Sequence, residues 1–105
     1  MKFVTLTPTA TVSSAIETEI MFSVASARAQ GMEILKIDLS ANGGEGIAST
    51  VTKQLRALKK EGRIQLFVST DAIHGSSTEA QYLVNKYPNI ADILKEEEKA
   101  IIVKI

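Results

Sequence analysis

Segments with a strand pattern and segments with a helix pattern alternate along this chain, and this alternation constrains the fold more than any other feature. Apolar and polar residues alternate from Phe3 to Thr7, and mostly apolar runs follow at Met32 to Leu39, Arg63 to Ser69 and Ala100 to Ile105. The segments between them repeat apolar residues every three or four positions, as amphipathic helices do. The order β-α-β-α-β-α-β predicts a single small α/β domain with a four-stranded sheet, mixed or mostly parallel, and helices packed on it.

Glycines mark the ends of the two long helices. The first helix is predicted from about Ser13 to Gln30, directly before Gly31, and the second from about Ile47 to Glu61, directly before Gly62. Each helix carries one apolar stripe that we expect to face the core, consisting of Ile16, Ile20, Val24 and Ala27 in the first and Ile47, Val51, Leu55 and Leu58 in the second.

Two serine–glutamate pairs fit the capping-box pattern of helix starts. Ser14 stands three residues before Glu17, and Ser76 stands three residues before Glu79 at the start of a third helix. The segment from Thr70 to Ser77 is predicted to be a loop. A short helix that carries Ile90, Ile93 and Leu94 is expected before the last strand.

The composition narrows the class of protein. The chain has 105 residues, of which 45% are hydrophobic and 23% charged, as expected of one globular domain, residues 1–105. It has no cysteine, which removes disulfides, thiolate zinc ligands and cysteine nucleophiles. Its formal net charge is zero, whereas nucleic-acid-binding domains are usually basic. The chain begins without a signal-peptide pattern and holds no membrane-length apolar run, so we expect a cytoplasmic, bacterial-type protein with no membrane contact.

Residues 3–69 show a pattern that is found in a known family. A short strand is followed by Thr11-Val12-Ser13-Ser14-Ala15-Ile16-Glu17 and a long helix, and a glycine-rich loop leads into a second helix at Gly44-Glu45-Gly46-Ile47. This arrangement resembles the Smr domain, the small MutS-related module. The resemblance implies an α/β fold and binding of nucleic acid, with nuclease activity in some members. The family's His-Gly-Lys-Gly-x-Gly and Leu-Asp-x-His-Gly motifs are absent, since this chain has Asn42-Gly43-Gly44-Glu45-Gly46 in the second helix's loop and no histidine in the first turn.

A second resemblance covers the middle of the chain. Ile37-Asp38-Leu39-Ser40, the helix between Gly46 and Gly62, and Arg63-Ile64-Gln65-Leu66 are similar to part of a STAS domain, the anti-sigma-factor-antagonist module. That family carries a phosphorylated Ser or Thr before the helix, where this chain has Gly43-Gly44-Glu45-Gly46. The first helix also comes too early for that topology.

A phosphate-contacting surface is one hypothesis for the second helix and the loop before it. Backbone N–H groups of a glycine-rich loop can meet a phosphate, and basic residues three and four positions apart share one helix face. The candidate contacts are Asn42, Gly43, Gly44, Lys53, Arg56 and Lys60. No aromatic residue stands among the basic ones in sequence, and a flexible loop with a solvated helix face explains the same pattern. Lys95 to Lys99 is likewise expected to be a solvated turn.

His74, the only histidine, does not predict a catalytic site. Ser76 or Ser77 would have to converge with His74 and Asp71 within one loop, whereas catalytic triads are assembled from separated segments. A surface loop with serines that cap the next helix accounts for these residues. No metal ligand set and no cofactor motif is predicted.

The first helix has a second apolar side. Met21, Phe22, Ala25 and Ala29 lie roughly opposite the core stripe, and few charges interrupt them. This side either packs against another helix of the chain or forms a partner surface, as in a homodimer. The sequence therefore predicts a non-enzymatic protein-interaction or self-associating module, degenerate Smr-like, with a nucleic-acid-binding Smr-like domain as the alternative.

Overall fold

Nine elements of secondary structure occupy the part of the chain that the computed structural model describes, namely residues 3–9, 12–40 and 45–105. The strands are β1 (Phe3–Leu6), β2 (Ile34–Asp38), β3 (Leu66–Ser69) and β4 (Ala100–Lys104). The helices are α1 (Ser13–Ala29), α2 (Glu45–Lys60), α3 (Thr70–Ile73), α4 (Thr78–Lys86) and α5 (Ile90–Ile93). The predicted alternation is confirmed, with one addition, since α3 lies in a segment that was predicted to be a loop.

The four strands form one mixed sheet in the order β1-β2-β4-β3. β1 and β2 are parallel, whereas β4 is antiparallel to both β2 and β3. The predicted four-stranded mixed sheet is thus confirmed, and the mostly parallel alternative is wrong. The physical reason lies in the connection between β3 and β4. Ser69 at the end of β3 pairs with Ile101 near the start of β4, so the chain turns back and β4 runs in the opposite direction to β3.

The sheet is the middle of three layers. Odd-numbered residues of β2, β3 and β4, such as Leu35, Ile37 and Val103, pack with α1 and α2 on one face. Even-numbered residues such as Ile34 and Ile102 pack with α4 and α5 on the other. A strand presents alternate side chains to opposite faces, so β2 and β4 supply both cores and are mostly apolar, with Lys36 and Lys104 as buried charged exceptions. The predicted helix stripes face the first core, with Ile47 only half-buried.

The two long helices end in the same glycine-based cap. In α1, the Gly31 N–H donates to the Arg28 carbonyl (3.0 Å) and the Met32 N–H donates to the Ala27 carbonyl (2.9 Å). Gly31 has φ 72°, the left-handed conformation that this cap requires. The end of α2 repeats the arrangement at Gly62, with φ 75°. The prediction that these glycines end the helices is confirmed.

The predicted capping boxes do not form. Val12 is the N-cap of α1 and makes no side-chain hydrogen bond. Ser77, rather than Ser76, caps α4, and its hydroxyl accepts from the Ala80 N–H (3.1 Å). Glu79 forms an ion pair with Lys59 of α2 instead. The tertiary contact between α2 and α4 therefore outcompetes the local cap.

A buried ion pair lies under the loop between α5 and β4. Lys36 Nζ is 2.8 Å from Glu98 Oε1 and donates to the Ile93 carbonyl (2.8 Å), while Glu98 Oε2 accepts from the Lys95 N–H (2.8 Å). Only 6% and 5% of the Lys36 and Glu98 side chains are exposed. The prediction that this loop is merely a solvated turn is wrong for Glu98, because Lys36 on the centre of β2 draws the carboxylate inward.

Candidate functional surfaces

The outer side of α1 is an exposed stripe of mostly small residues with one aromatic side chain in its middle. Phe22 is 74% exposed, the largest value among the large apolar side chains of the described residues. Ala15, Thr18, Ala25 and Ala29 are also exposed and stand three, four, three and four positions apart with Phe22 between them. This is the spacing of a helix–helix seam. We call these five residues the α1 face.

The predicted partner surface thus divides into two parts. Phe22, Ala25 and Ala29 belong to the α1 face, whereas Met21 is half-buried and packs against the first core. The alternative that Phe22 packs inside the chain is wrong, because the helix turns it away from the sheet and from α2. A helix wheel places these residues correctly, but only the tertiary structure shows which side of α1 stays uncovered.

The basic residues of α2 border a groove beside β3. Lys53, Arg56 and Lys60 are exposed, as predicted. Three connected depressions of about 520, 470 and 360 Å³ all include Arg56 in their walls. Two of them also include Phe67, an aromatic residue that sequence reasoning did not associate with the basic face. Its position follows from the chain path, since α2 leads into β3 and so lies alongside it. We call this feature the β3 groove.

The floor of the β3 groove is an open edge of the sheet. Among the described residues β3 pairs only with β4, and the consecutive residues Phe67, Val68 and Ser69 all line the groove. One ion pair crosses this edge, from Lys59 on α2 to Glu79 on α4. The Lys59 ammonium also stands 5.8 Å from the centre of the Phe67 ring, within cation–π range. The edge is therefore covered by a polar contact rather than by packed apolar side chains.

The predicted glycine-loop contacts, Asn42, Gly43 and Gly44, lie outside the described residues. Their relation to Lys53, Arg56 and Lys60 stays a prediction. The three basic residues form no ion pair with any other side chain in the described ranges.

His74 and Asp71 line a cleft that adjoins the β3 groove, at the end of the sheet where β2 and β3 finish. The cleft has a volume of about 670 Å³. Neither Ser76 nor Ser77 lines it, so the two serines considered for a triad do not share the cleft with His74 and Asp71. Ser69 does line the cleft, and its hydroxyl accepts from the Ala72 N–H (3.3 Å) as the N-cap of α3. Among residues 3–9, 12–40 and 45–105, no group of three potential metal ligands is found.

Two ionisable groups near the sheet have shifted pKa values. The pKa of Asp38 is lowered, chiefly because its carboxylate accepts from the Ser40 N–H (2.9 Å). Burial raises the pKa of Tyr87 to about 12, with a further contribution from its hydrogen bond to Glu33 (3.0 Å). Both groups stabilise local structure, and neither lies on the α1 face or in the β3 groove.

Comparison with known proteins gives no family assignment: no protein-family model, no curated protein and no solved structure matches this chain. The resemblances to the Smr and STAS domains therefore stay predictions. None of the helices in the described part of the chain is long and apolar enough to cross a membrane. The fold defines the class, a three-layer α/β domain with a mixed four-stranded sheet.

Proposed function

We propose that this chain is a non-enzymatic interaction module that associates with a second copy of itself through the α1 face. The observation that carries the proposal is the exposure of Phe22 in the middle of a seam of small residues. An exposed phenylalanine leaves its apolar surface in water, and a contiguous apolar patch around it is typical of an interface. The Ala residues on both sides allow a second helix to approach closely.

The α1 face is complementary to itself in an antiparallel arrangement. With a two-fold axis between Ser23 and Val24, Phe22 of one copy stands opposite Ala25 of the other, and Thr18 stands opposite Ala29. Each large side chain therefore meets a small one, and the two-fold axis repeats the contact. A parallel pair would set Phe22 against Phe22 and Ala25 against Ala25. The two phenylalanine rings would clash, and the two small alanine side chains would leave a gap between the helices.

The helix dipoles favour the same orientation. Two antiparallel helices place the positive end of each dipole beside the negative end of the other, whereas a parallel pair places like ends together. The Glu19 carboxylate is held within the chain, since it accepts from the Thr9 N–H (3.2 Å) and from the Thr9 hydroxyl (3.0 Å), so the orientation rests on the dipoles and not on an ion pair of this residue.

The expected dimer is weak. Burial of two Phe22 side chains contributes about 3–6 kcal/mol, which is comparable to the lower estimates of the cost of association. The alanine methyl groups add less. We therefore expect a monomer–dimer equilibrium that depends on protein concentration, not an obligate dimer.

Sedimentation equilibrium over a wide concentration range tests the proposal. The parent chain should show reversible dimerisation, and Phe22→Glu should be monomeric with unchanged circular dichroism, since the side chain is exposed. Tyr82→Glu is the matched control, because Tyr82 is an exposed aromatic residue (42%) on α4. A parent chain that stays monomeric at the highest concentration contradicts the proposal, as does loss of dimerisation in both variants.

A further inference from the structure

We infer that the open edge of β3 is a binding site for an extended acidic peptide, which adds to the sheet as a fifth strand. This inference concerns the β3 groove and is independent of self-association through α1. Three observations carry it: the unpaired strand edge, the row of cations beside it, and the ion pair that spans it.

The edge offers the backbone groups that an added strand needs. β3 has four residues and, within the part of the chain that the structure describes, a partner strand on one side only, so its other side presents backbone N–H and C=O groups to the groove. Phe67, Val68 and Ser69 line the groove in succession, which shows that the strand edge itself is reached from outside. Main-chain hydrogen bonds along such an edge are a common source of affinity in peptide recognition.

The cations of α2 match an acidic strand in length and sign. Lys53 and Lys60 are seven residues apart, or about 10 Å along the helix, and the four residues of β3 span about 13 Å. Side chains on one face of an added strand recur every two residues, about 7 Å apart. Carboxylates at that spacing lie within reach of Lys53, Arg56 and Lys60, and these basic side chains have no ion pair within the described ranges.

The Lys59–Glu79 ion pair regulates entry to the groove. It connects α2 and α4 across the β3 edge, and both side chains are partly exposed (36% and 44%). A surface ion pair of this kind contributes little to stability, so a competing carboxylate can replace Glu79 at small cost. In the free protein the same pair shields the edge from pairing with other chains, which is how natural sheets manage open edges.

Other occupants fit this groove less well. A second copy joined edge to edge by β3 would bring Lys53, Arg56 and Lys60 of both copies together, and like charges would repel. A nucleic acid is disfavoured because Phe67 is half-buried under Lys59, so its ring is not free to stack on a base. The side of the groove toward α4 includes Ala72, which suits a small apolar residue at alternate positions of a peptide.

The test is fluorescence anisotropy with a labelled short peptide of alternating glutamate and valine, at low and at near-physiological salt. We expect saturable binding that weakens with salt. Replacing Lys53, Arg56 and Lys60 together with Gln should weaken binding about tenfold, whereas Lys86→Gln, on an exposed basic residue of α4, should leave it unchanged. Glu79→Gln should tighten binding about threefold, since it opens the edge and removes a repelling charge.

A second peptide of the same sequence, methylated at every backbone nitrogen, separates strand addition from charge attraction. It carries the same charge but has no backbone N–H donor, so it should bind at least tenfold more weakly. Equal binding of the two peptides overturns strand addition. Tighter binding of an oligothymidylate of similar length identifies the groove as a nucleic-acid site and overturns the inference, and so does the absence of peptide binding at low salt.

Discussion

Lys36 and Glu98 show how a single pair of residues holds a loop onto the sheet. Lys36 is at the centre of β2, where neighbouring positions are apolar, and its ammonium is satisfied by Glu98 and by the Ile93 carbonyl. Such a pair adds little to stability compared with apolar residues, but loss of one partner leaves an uncompensated charge in the interior. The pair therefore determines where the loop between α5 and β4 lies more than how stable the domain is.

Lys36→Met is expected to lower the free energy of unfolding by about 3–5 kcal/mol, because Glu98 remains buried without its partner. The double variant Lys36→Met/Glu98→Gln removes both charges and keeps an oxygen for the Lys95 N–H, so it should recover more than 1 kcal/mol of that loss. Urea unfolding of the parent, both single variants and the double variant measures the coupling. Strictly additive losses would show that the two charges do not interact.

Tyr87 predicts a loss of stability at alkaline pH. Its pKa is raised to about 12, above the value near 10 of an unfolded chain, so the neutral phenol is favoured by folding. The resulting stabilisation is complete below pH 10 and is lost between about pH 10 and 12, with a magnitude on the order of 2 kcal/mol. Urea unfolding across this range should show the decline, and Tyr87→Phe should reduce it. An equal decline in the variant would assign the effect to other groups.

At the scale of the element, the C-terminal caps of α1 and α2 depend on backbone conformation alone. A Cβ atom at Gly31 or Gly62 would meet no neighbouring atom within 4 Å, so the positive φ is the entire reason for glycine. The same caps reverse the chain sharply and send it into the next strand. They explain why the ends of α1 and α2 were predicted to within one residue.

Gly62→Ala is expected to destabilise the protein by about 1 kcal/mol, because an L-residue is strained in the left-handed region. Gly46→Ala is the matched control, since Gly46 is the second residue of α2, has no positive φ and has open space around it. That substitution should leave stability unchanged or raise it by up to about 0.5 kcal/mol, because the first turn of a helix feels only part of the propensity difference. Thermal unfolding of the two variants measures both effects, and a shift of the same sign in both would contradict this explanation of the cap.

At the scale of the whole molecule, the last strand, β4, is one of the two central strands of the sheet. β4 pairs with β2 and β3, and its buried residues face both cores. The two cores therefore share β4 as a common wall, and the sheet is incomplete until the end of the chain has been inserted. Contacts across the full length of the sequence make this topology more dependent on non-local pairing than a simple succession of parallel units.

Ile102 and Val103 are fully buried and fill opposite cores. Ile102→Ala should therefore lower the free energy of unfolding by about 2–5 kcal/mol, and Val103→Ala should lower it somewhat less because valine is smaller. Val84→Ala on α4, where the side chain is 39% exposed, is the control and should change stability by about 0.5 kcal/mol or less. Each core variant should keep a single cooperative transition. Separate transitions for the two faces would mean that the cores are independent.

The α/β class, the order of the main elements, the buried stripes of α1 and α2 and the glycine helix ends all follow from the sequence alone. These properties depend on periodicity and on local backbone conformation, and both are visible within a few residues. The exposed position of Phe22 was also one of two possibilities that the helix pattern left open.

The position of β4 in the sheet, the face of the sheet on which each helix packs and the surfaces that remain uncovered depend on the tertiary structure. Strand order depends on which strands of the whole chain pair with each other. The Lys36–Glu98 and Lys59–Glu79 ion pairs likewise join residues that lie far apart in the sequence. Phe67 came to lie beside the basic face of α2 for the same reason. Contacts between distant segments are set by the packing of the complete domain, and no local pattern in the sequence records them.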